Sequence, residues 1–310
     1  MTTSEGQRAS PLTTATAEPE AATTAGHGWA VAGLVFNAAV WGVSWWPLRQ
    51  LQQLGLHPLW ATVLIFVLAV VGITCWRPAA WGQVLRRPAL WVLVLAAGTT
   101  NACFNWAVTI GDVVRVVLLF YLMPLWAVLL ARVLLREPLT AAAGLRVAMA
   151  LLGAAIVLWP AEGGWPLPRN LAEGLAVLGG FSFALNNVML RREAAQPEAA
   201  RSLAMFFGGA LVAGALALAL SAAGRTPWPP VLASGWVLGG LALGLVFVAS
   251  NLALQYGAAR LPANVTAVVM ITEILFASVS ALLLGAGHIT PQLALGGALI
   301  AGATVLSARS

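Results

Sequence analysis

The sequence predicts an all-α integral membrane protein in which ten transmembrane helices form two inverted five-helix repeats. Three observations predict it: the composition, a regular succession of apolar runs, and a weak internal repeat. Of 310 residues, 60% are hydrophobic and 8% are charged, whereas soluble domains carry about 25% charged residues. Too few charged side chains are present to clothe a water-facing surface, so lipid is the solvent for most of the chain. This excludes most cytosolic enzyme classes.

Residues 1–28 are rich in Thr, Ala, Ser, Pro and Glu and lack apolar periodicity, which predicts a disordered cytoplasmic tail. A secretory signal would begin with a basic segment followed at once by a short apolar core, and here the first apolar run starts only at Trp29. Ten apolar segments follow, at 29–49, 58–76, 88–107, 113–135, 141–159, 170–190, 201–221, 231–256, 262–284 and 291–308. Each is close to the ~20 residues that a helix needs to cross the hydrocarbon layer. The connections are short, so no soluble catalytic domain fits between them. The first five-helix repeat is placed at 29–160 and the second at 161–310.

All 16 basic residues are arginines, scattered singly or in pairs between apolar runs, and the formal net charge is +6. No basic helix or patch points to nucleic acid; the arginines act as orientation signals. With a cytoplasmic N-terminus, twelve of them fall on or near the cytoplasmic side, and only Arg49, Arg115, Arg169 and Arg225 fall outside. An even number of crossings returns the C-terminus to the cytoplasm, as expected for a multi-pass inner-membrane protein. Cys75 and Cys103 both lie in apolar stretches without metal-ligand spacing. Neither a metal nor a cofactor is expected.

The repeat is carried by a few positions. Asn101, Trp106 and Ala107 match Asn251, Tyr256 and Gly257 at an offset of 150, and Thr140 matches Thr290 at the same offset. Trp41-Gly42 through Arg49 align with Phe183-Ala184 through Arg191. An odd number of helices per half inserts the second half from the opposite side, as in alternating-access carriers. A duplication retained in a non-transporting scaffold accounts for the same repeat.

Pro124 to Thr140, with Arg136-Glu137-Pro-Leu before the threonine, resembles the fourth-helix motif and following turn of the EamA-type drug/metabolite transporters. Trp41-Gly42 and the Phe183 to Arg192 stretch are similar to that family's repeat starts, and Glu273 falls where it usually has Glu-Pro. The chain departs from the pattern at Arg136 for glycine, at Ile274 for proline, and at Gly285 to Thr290, which lacks the acidic residue. Within the superfamily, the Trp41-Gly-Val-Ser-Trp-Trp46 run and the tryptophan load most resemble the YddG-type exporters. That resemblance implies a secondary carrier exporting aromatic amino acids and not an enzyme; a monomer is expected because a fused pair of inverted halves already completes the site.

Polar side chains within a span are costly unless they face the bundle interior, so they locate a pathway. Asn37, Trp41, Ser44 and Trp45 share one face of the first helix. Asn101 and Asn105 share another on the third, Asn251 and Gln255 on the eighth, and Asn186 and Asn187 are adjacent on the sixth. Amides accept and donate, which suits an ammonium or a carboxylate; interhelical hydrogen bonding explains each one as well. Tyr256 joins the candidate lining through the repeat. Glu273 lies at the middle of the ninth segment, where an ionised acid costs about 2.5–3.5 kcal/mol. It is expected to bind a substrate amine, to carry a coupling proton, or to serve as a neutral structural support. Arg115 is expected to snorkel to the outer interface.

Two carrier functions follow, export of aromatic or apolar amino acids and efflux of lipophilic or quaternary ammonium cations, for which tryptophans offer cation–π faces. The absence of His-Glu-x-x-His, Gly-x-Ser-x-Gly and Walker patterns removes the chemistry of hydrolysis.

Overall fold

In a computed structural model, the described residues are 20–136, 140–159, 165, 167–231, 235–258, 260, 269–270 and 272–308. They are helical throughout apart from short connections, and eight helical stretches are long and apolar enough to cross a membrane: Gly28–Gln53, Pro58–Trp76, Pro88–Ile110, Val113–Leu135, Ala141–Leu158, Leu171–Arg192, Glu198–Ala222 and Trp236–Leu254. Two shorter apolar helices, Thr272–Leu283 and Pro291–Ala303, coincide with the ninth and tenth predicted segments. Residues 261–268, which open the ninth segment, lie outside the described residues. The chain is therefore an all-α, multi-pass membrane protein. Leu95, Leu152, Leu218 and Leu245 are each more than half exposed, as lipid-facing residues must be.

The helix boundaries follow from backbone chemistry. The first span is α1 (Glu20–Val43) and α2 (Trp45–Gln53), broken at Ser44. Pro47 has no N–H for the Val43 carbonyl, and the Ser44 hydroxyl instead donates to Trp41 O at 2.7 Å. α1 begins at Glu20, inside the predicted tail, because Glu20-Ala-Ala adds good helix formers to the apolar run. α3 (Pro58–Trp76) and α5 (Pro88–Ile110) each open with proline at the first turn, where the missing N–H costs nothing. The short α4 (Ala80–Arg86) lies between them. The fourth span is α6 (Val113–Phe120) and α7 (Met123–Leu130), followed by a π turn, Ala131–Leu135. Pro124 withholds an N–H from the Phe120 carbonyl, so the helix breaks beside Tyr121.

α8 (Ala141–Leu158), α9 (Leu171–Arg192), α10 (Glu198–Ala222), α11 (Trp236–Ala258), α12 (Thr272–Leu283) and α13 (Pro291–Ala308) complete the fold. The sequence repeat recurs in local structure. Thr140 Oγ1 accepts from Ala143 N–H and Thr290 Oγ1 from Leu293 N–H, both at 3.1 Å, which makes them equivalent N-caps. α5 is the most enclosed span, held between α9 and α10; α1 packs on α11 and α12, and α8 on α13.

Candidate functional site

A cavity of about 130 Å³ lies among the middle portions of these helices. That is roughly ten times the space that one ordered water needs. Its walls are aromatic: Trp41, Phe66, Phe104, Phe120, Phe183 and Phe206. Edge-to-face contacts order them, Trp41 lying 5.9 Å from Phe104 and Phe104 4.8 Å from Phe120, the arrangement that ring quadrupoles favour. The polar lining is Asn37, Thr100, Asn101, Asn186, Asn251 and Glu273.

The orientation of three amides is fixed by backbone. Asn37 Nδ2 donates to Ser250 O at 3.0 Å and to Ser250 Oγ at 2.7 Å. Asn101 Nδ2 donates to Ala97 O and Asn251 Nδ2 to Phe247 O, each at 2.8 Å and each to the carbonyl four residues back. A carbonyl only accepts, so the NH2 group must occupy that position; the amide oxygen is left free to accept, with one further N–H remaining on Asn101 and on Asn251. Asn37 Oδ1 and Asn186 Oδ1 are buried without a hydrogen-bond partner among the described residues. Such orphaned acceptors cost about 1–3 kcal/mol each until a donor reaches them. Thr100 likewise spends its hydroxyl proton on Ala96 O.

Glu273 lies in the first turn of α12 and is 8% exposed. The Tyr121 hydroxyl, at the α6–α7 break, is 2.9 Å from Glu273 Oε2 and 3.1 Å from Met270 O. A phenol has one O–H, so it donates to one acceptor at a time: to an ionised Glu273, or, when a protonated Glu273 donates to the phenol oxygen, to Met270 O. Gly42 brings α1 against this point, since a Cβ there would lie 2.7 Å from Glu273 O. Trp41 and Asn37 are held beside the acid by that contact.

The remaining candidates lie elsewhere. Trp45 Nε1 donates to Ser280 Oγ at 3.0 Å, with the Arg49 guanidinium 5.0 Å from its ring. Ser44 is used at the α1 break. Asn105 is buried and donates to Thr62 Oγ1 at 2.9 Å, turned toward α3. Asn187 is exposed, one residue past the lining face of α9. Tyr256 is exposed with Arg260 3.7 Å above its ring. The Gln255 side chain and Glu137 lie outside the described residues. Trp41 is among the expected lining residues, whereas the phenylalanine walls and Tyr121 escape sequence reasoning based on polarity. A signal was present for Phe104, which lies one helical turn from Asn101.

At the end of the bundle carrying Arg115, that guanidinium pairs with Glu173 at 2.8 Å, instead of snorkelling outward. Glu173 Oε2 also accepts from Arg169 N–H, Asp112 Oδ2 accepts from His288 N–H, and Arg49 donates to Gly111 O at 2.6 Å. These bonds tie the start of α6 to α9 and to the α12–α13 connection. His57, outside the spans at this end, accepts Leu59 N–H on Nδ1, and burial pulls its basicity below the ordinary histidine range.

Residues 28–159 match the EamA-like transporter family. No curated protein matches the chain. A solved structure described as "Crystal structure of protein" superposes with a TM-score of 0.52 at 20% identity, over 93% of this chain and 97% of that one. At that identity the likeness is one of fold. Over its first half the chain thus matches a family of transporters and not one of enzymes.

Proposed function

We propose that this protein is a secondary carrier that moves small ammonium-bearing metabolites across a membrane by alternating access of two inverted five-helix halves around the mid-span cavity. The observation that carries the reading is the acceptor lining: the oxygens of Asn37 and Asn186 are buried without a partner among the described residues, and Asn101 and Asn251, oriented by a bond from NH2 to backbone, keep theirs free, beside a carboxyl group and aromatic faces. An ammonium donates to such oxygens and its charge is attracted to ring faces. The matching roles of Asn101 and Asn251, and of Thr140 and Thr290, support the inverted repeat. The arginine bias supports cytoplasmic termini and an inner-membrane location, and the resemblance to YddG-type exporters supports outward movement of aromatic or apolar amino acids. Glu273 is the candidate counter-charge or coupling group, and a single chain completes the site.

Efflux of lipophilic cations is the second reading, favoured by the six aromatic walls. The unpaired oxygens of Asn37 and Asn186 need N–H donors, which a quaternary ammonium lacks, so protonated amines are preferred over quaternary ones. Flux of labelled tryptophan, tryptamine and a quaternary ammonium dye into proteoliposomes, with and without a pH gradient, tests both. Saturable flux of the first two supports the proposal. Faster flux of the dye favours the second reading, and no protein-dependent flux of any of them refutes carriage.

A further inference from the structure

Resting on the carrier reading, the geometry points to a lateral entrance between α3 and α11, through which amphiphilic amines reach the chamber from one leaflet. A cleft of about 810 Å³ lies there, walled by Leu68, Gly72 and Trp76 of α3 and Val248 and Leu252 of α11, with α4 and the start of α10 closing its other sides. Its polarity is graded. Arg77, just past the end of α3, Glu198, at the start of α10, and Gln83, on the short α4, give it one charged and polar end, whereas Leu68, Gly72, Val248 and Leu252 are apolar. An amphiphile matches that order, with its head at the interface and its body in the cleft.

The cleft meets the chamber at two shared residues, Phe206 and Asn251. Phe206 is the door: its ring lies 5.9 Å from that of Phe66, on the chamber wall. Behind it stands Asn251, whose oxygen is available to an arriving ammonium.

The cleft has a packing cause. α3 and α11 are tight over one half of their length, where a Cβ on Gly240 would lie 2.5 Å from the Leu64 side chain and one on Gly244 2.6 Å from that of Leu68. One turn further, Val248 replaces glycine and the helices part. In the repeat-related pair, α5 and α10, the position 150 residues before Val248 is Gly98, whose Cβ would collide with Gly208 O, while one on Gly208 would collide with Val94 O. That pair is closed where α3 and α11 gape. A β-branched side chain in place of hydrogen holds the second pair apart.

Gly72 makes the test clean, because a Cβ there meets nothing within 4 Å. Gly72→Trp fills the cleft without touching the chamber, and Leu252→Trp, at an exposed position, does so from the opposite wall. The protein in nanodiscs is mixed with a dansyl-labelled alkylammonium, and energy transfer from tryptophan reports arrival and departure. Blocking a shared door slows association and dissociation together, several-fold, with Kd unchanged. In parallel, a phospholipid bearing a diazirine on its acyl chain should label the segments around Phe206 and Val248 in the wild type and lose those adducts in both variants. Unaltered rates in both variants, or no acyl labelling of the wild type there, overturns the entrance and leaves carriage standing. A wild type that is labelled but neither binds nor transports the amine refutes carriage, and the entrance with it.

Discussion

The same substitution at two helical glycines should act with opposite sign. At Gly42 an added methyl carbon would sit 2.7 Å from Glu273 O, 2.8 Å from Phe276 Cβ and 3.0 Å from Ala277 N, where ordinary contacts are about 3.5–4.0 Å. Two of these neighbours are backbone atoms, so α1 and α12 must separate by several tenths of an ångström. Overpacking of this kind costs about 1–3 kcal/mol. At Gly72 the methyl meets nothing. Both variants gain helix propensity, up to ~1 kcal/mol, so that gain cancels in the comparison and leaves Gly42→Ala less stable than Gly72→Ala by about 1–3 kcal/mol. Thermal unfolding in detergent, followed by tryptophan fluorescence, should place the Tm of Gly42→Ala several degrees below that of Gly72→Ala, and Gly72→Ala at or above wild type. Amine affinity should fall in Gly42→Ala alone, because Trp41 and Asn37 move away from Glu273. Equal Tm values for the two variants would refute the close α1–α12 contact from which the site is built.

Burial depresses the His57 pKa and its Nδ1 caps α3 in the neutral form, so the unfolded state binds the proton more readily. The stability it contributes is full above the unfolded value of about 6.5 and is lost as pH falls toward and through the folded one; His57→Asn, another N-cap residue, should flatten that part of the Tm–pH profile. Arg115→Met and Glu173→Gln should each loosen the contact between α6 and α9. Because the two side chains are in direct contact and Arg115 is 29% exposed, a double-mutant cycle on unfolding should give a coupling of about 0.5–3 kcal/mol; additivity would dismiss the pair as a clamp. Asn101→Ala and Asn251→Ala should weaken amine binding to similar extents, whereas exposed Asn187→Ala should not change it, as titration of each variant would report.

The positions of the spans were legible because lipid imposes a length of about 20 apolar residues and the backbone cannot be left unsatisfied. Which face of each helix turns inward was only partly so. Asn101 and Asn251 were marked by polarity and repeat, and the structure places both on the cavity. Asn105 and Asn187 carry the same signal yet point to Thr62 and to the exterior: Asn187 is one residue, about 100° of helix rotation, past Asn186, and Asn105 is about 40° round from Asn101 and one turn further along α5, where it meets α3. Ser44 and Trp45 were assigned by extending the α1 face through a break that Pro47 introduces. The phenylalanine walls were hidden because an apolar ring in a span has no sequence mark that separates lipid, core and cavity. The Arg115–Glu173 pair joins residues 58 positions apart, and only the third dimension brings them together.

The central claim is that an acceptor-lined, aromatic chamber recognises an organic ammonium. Calorimetric binding of tryptamine and of its uncharged analogue 3-ethylindole tests it most directly, on the wild type and on Glu273→Gln and Asn37→Ala. Hydrogen bonds to a charged group contribute about 1.5–3 kcal/mol, so tryptamine should bind at least roughly tenfold more tightly, and both variants should lose most of that preference. Equal affinity for the two ligands, or an undiminished preference in both variants, would contradict the account.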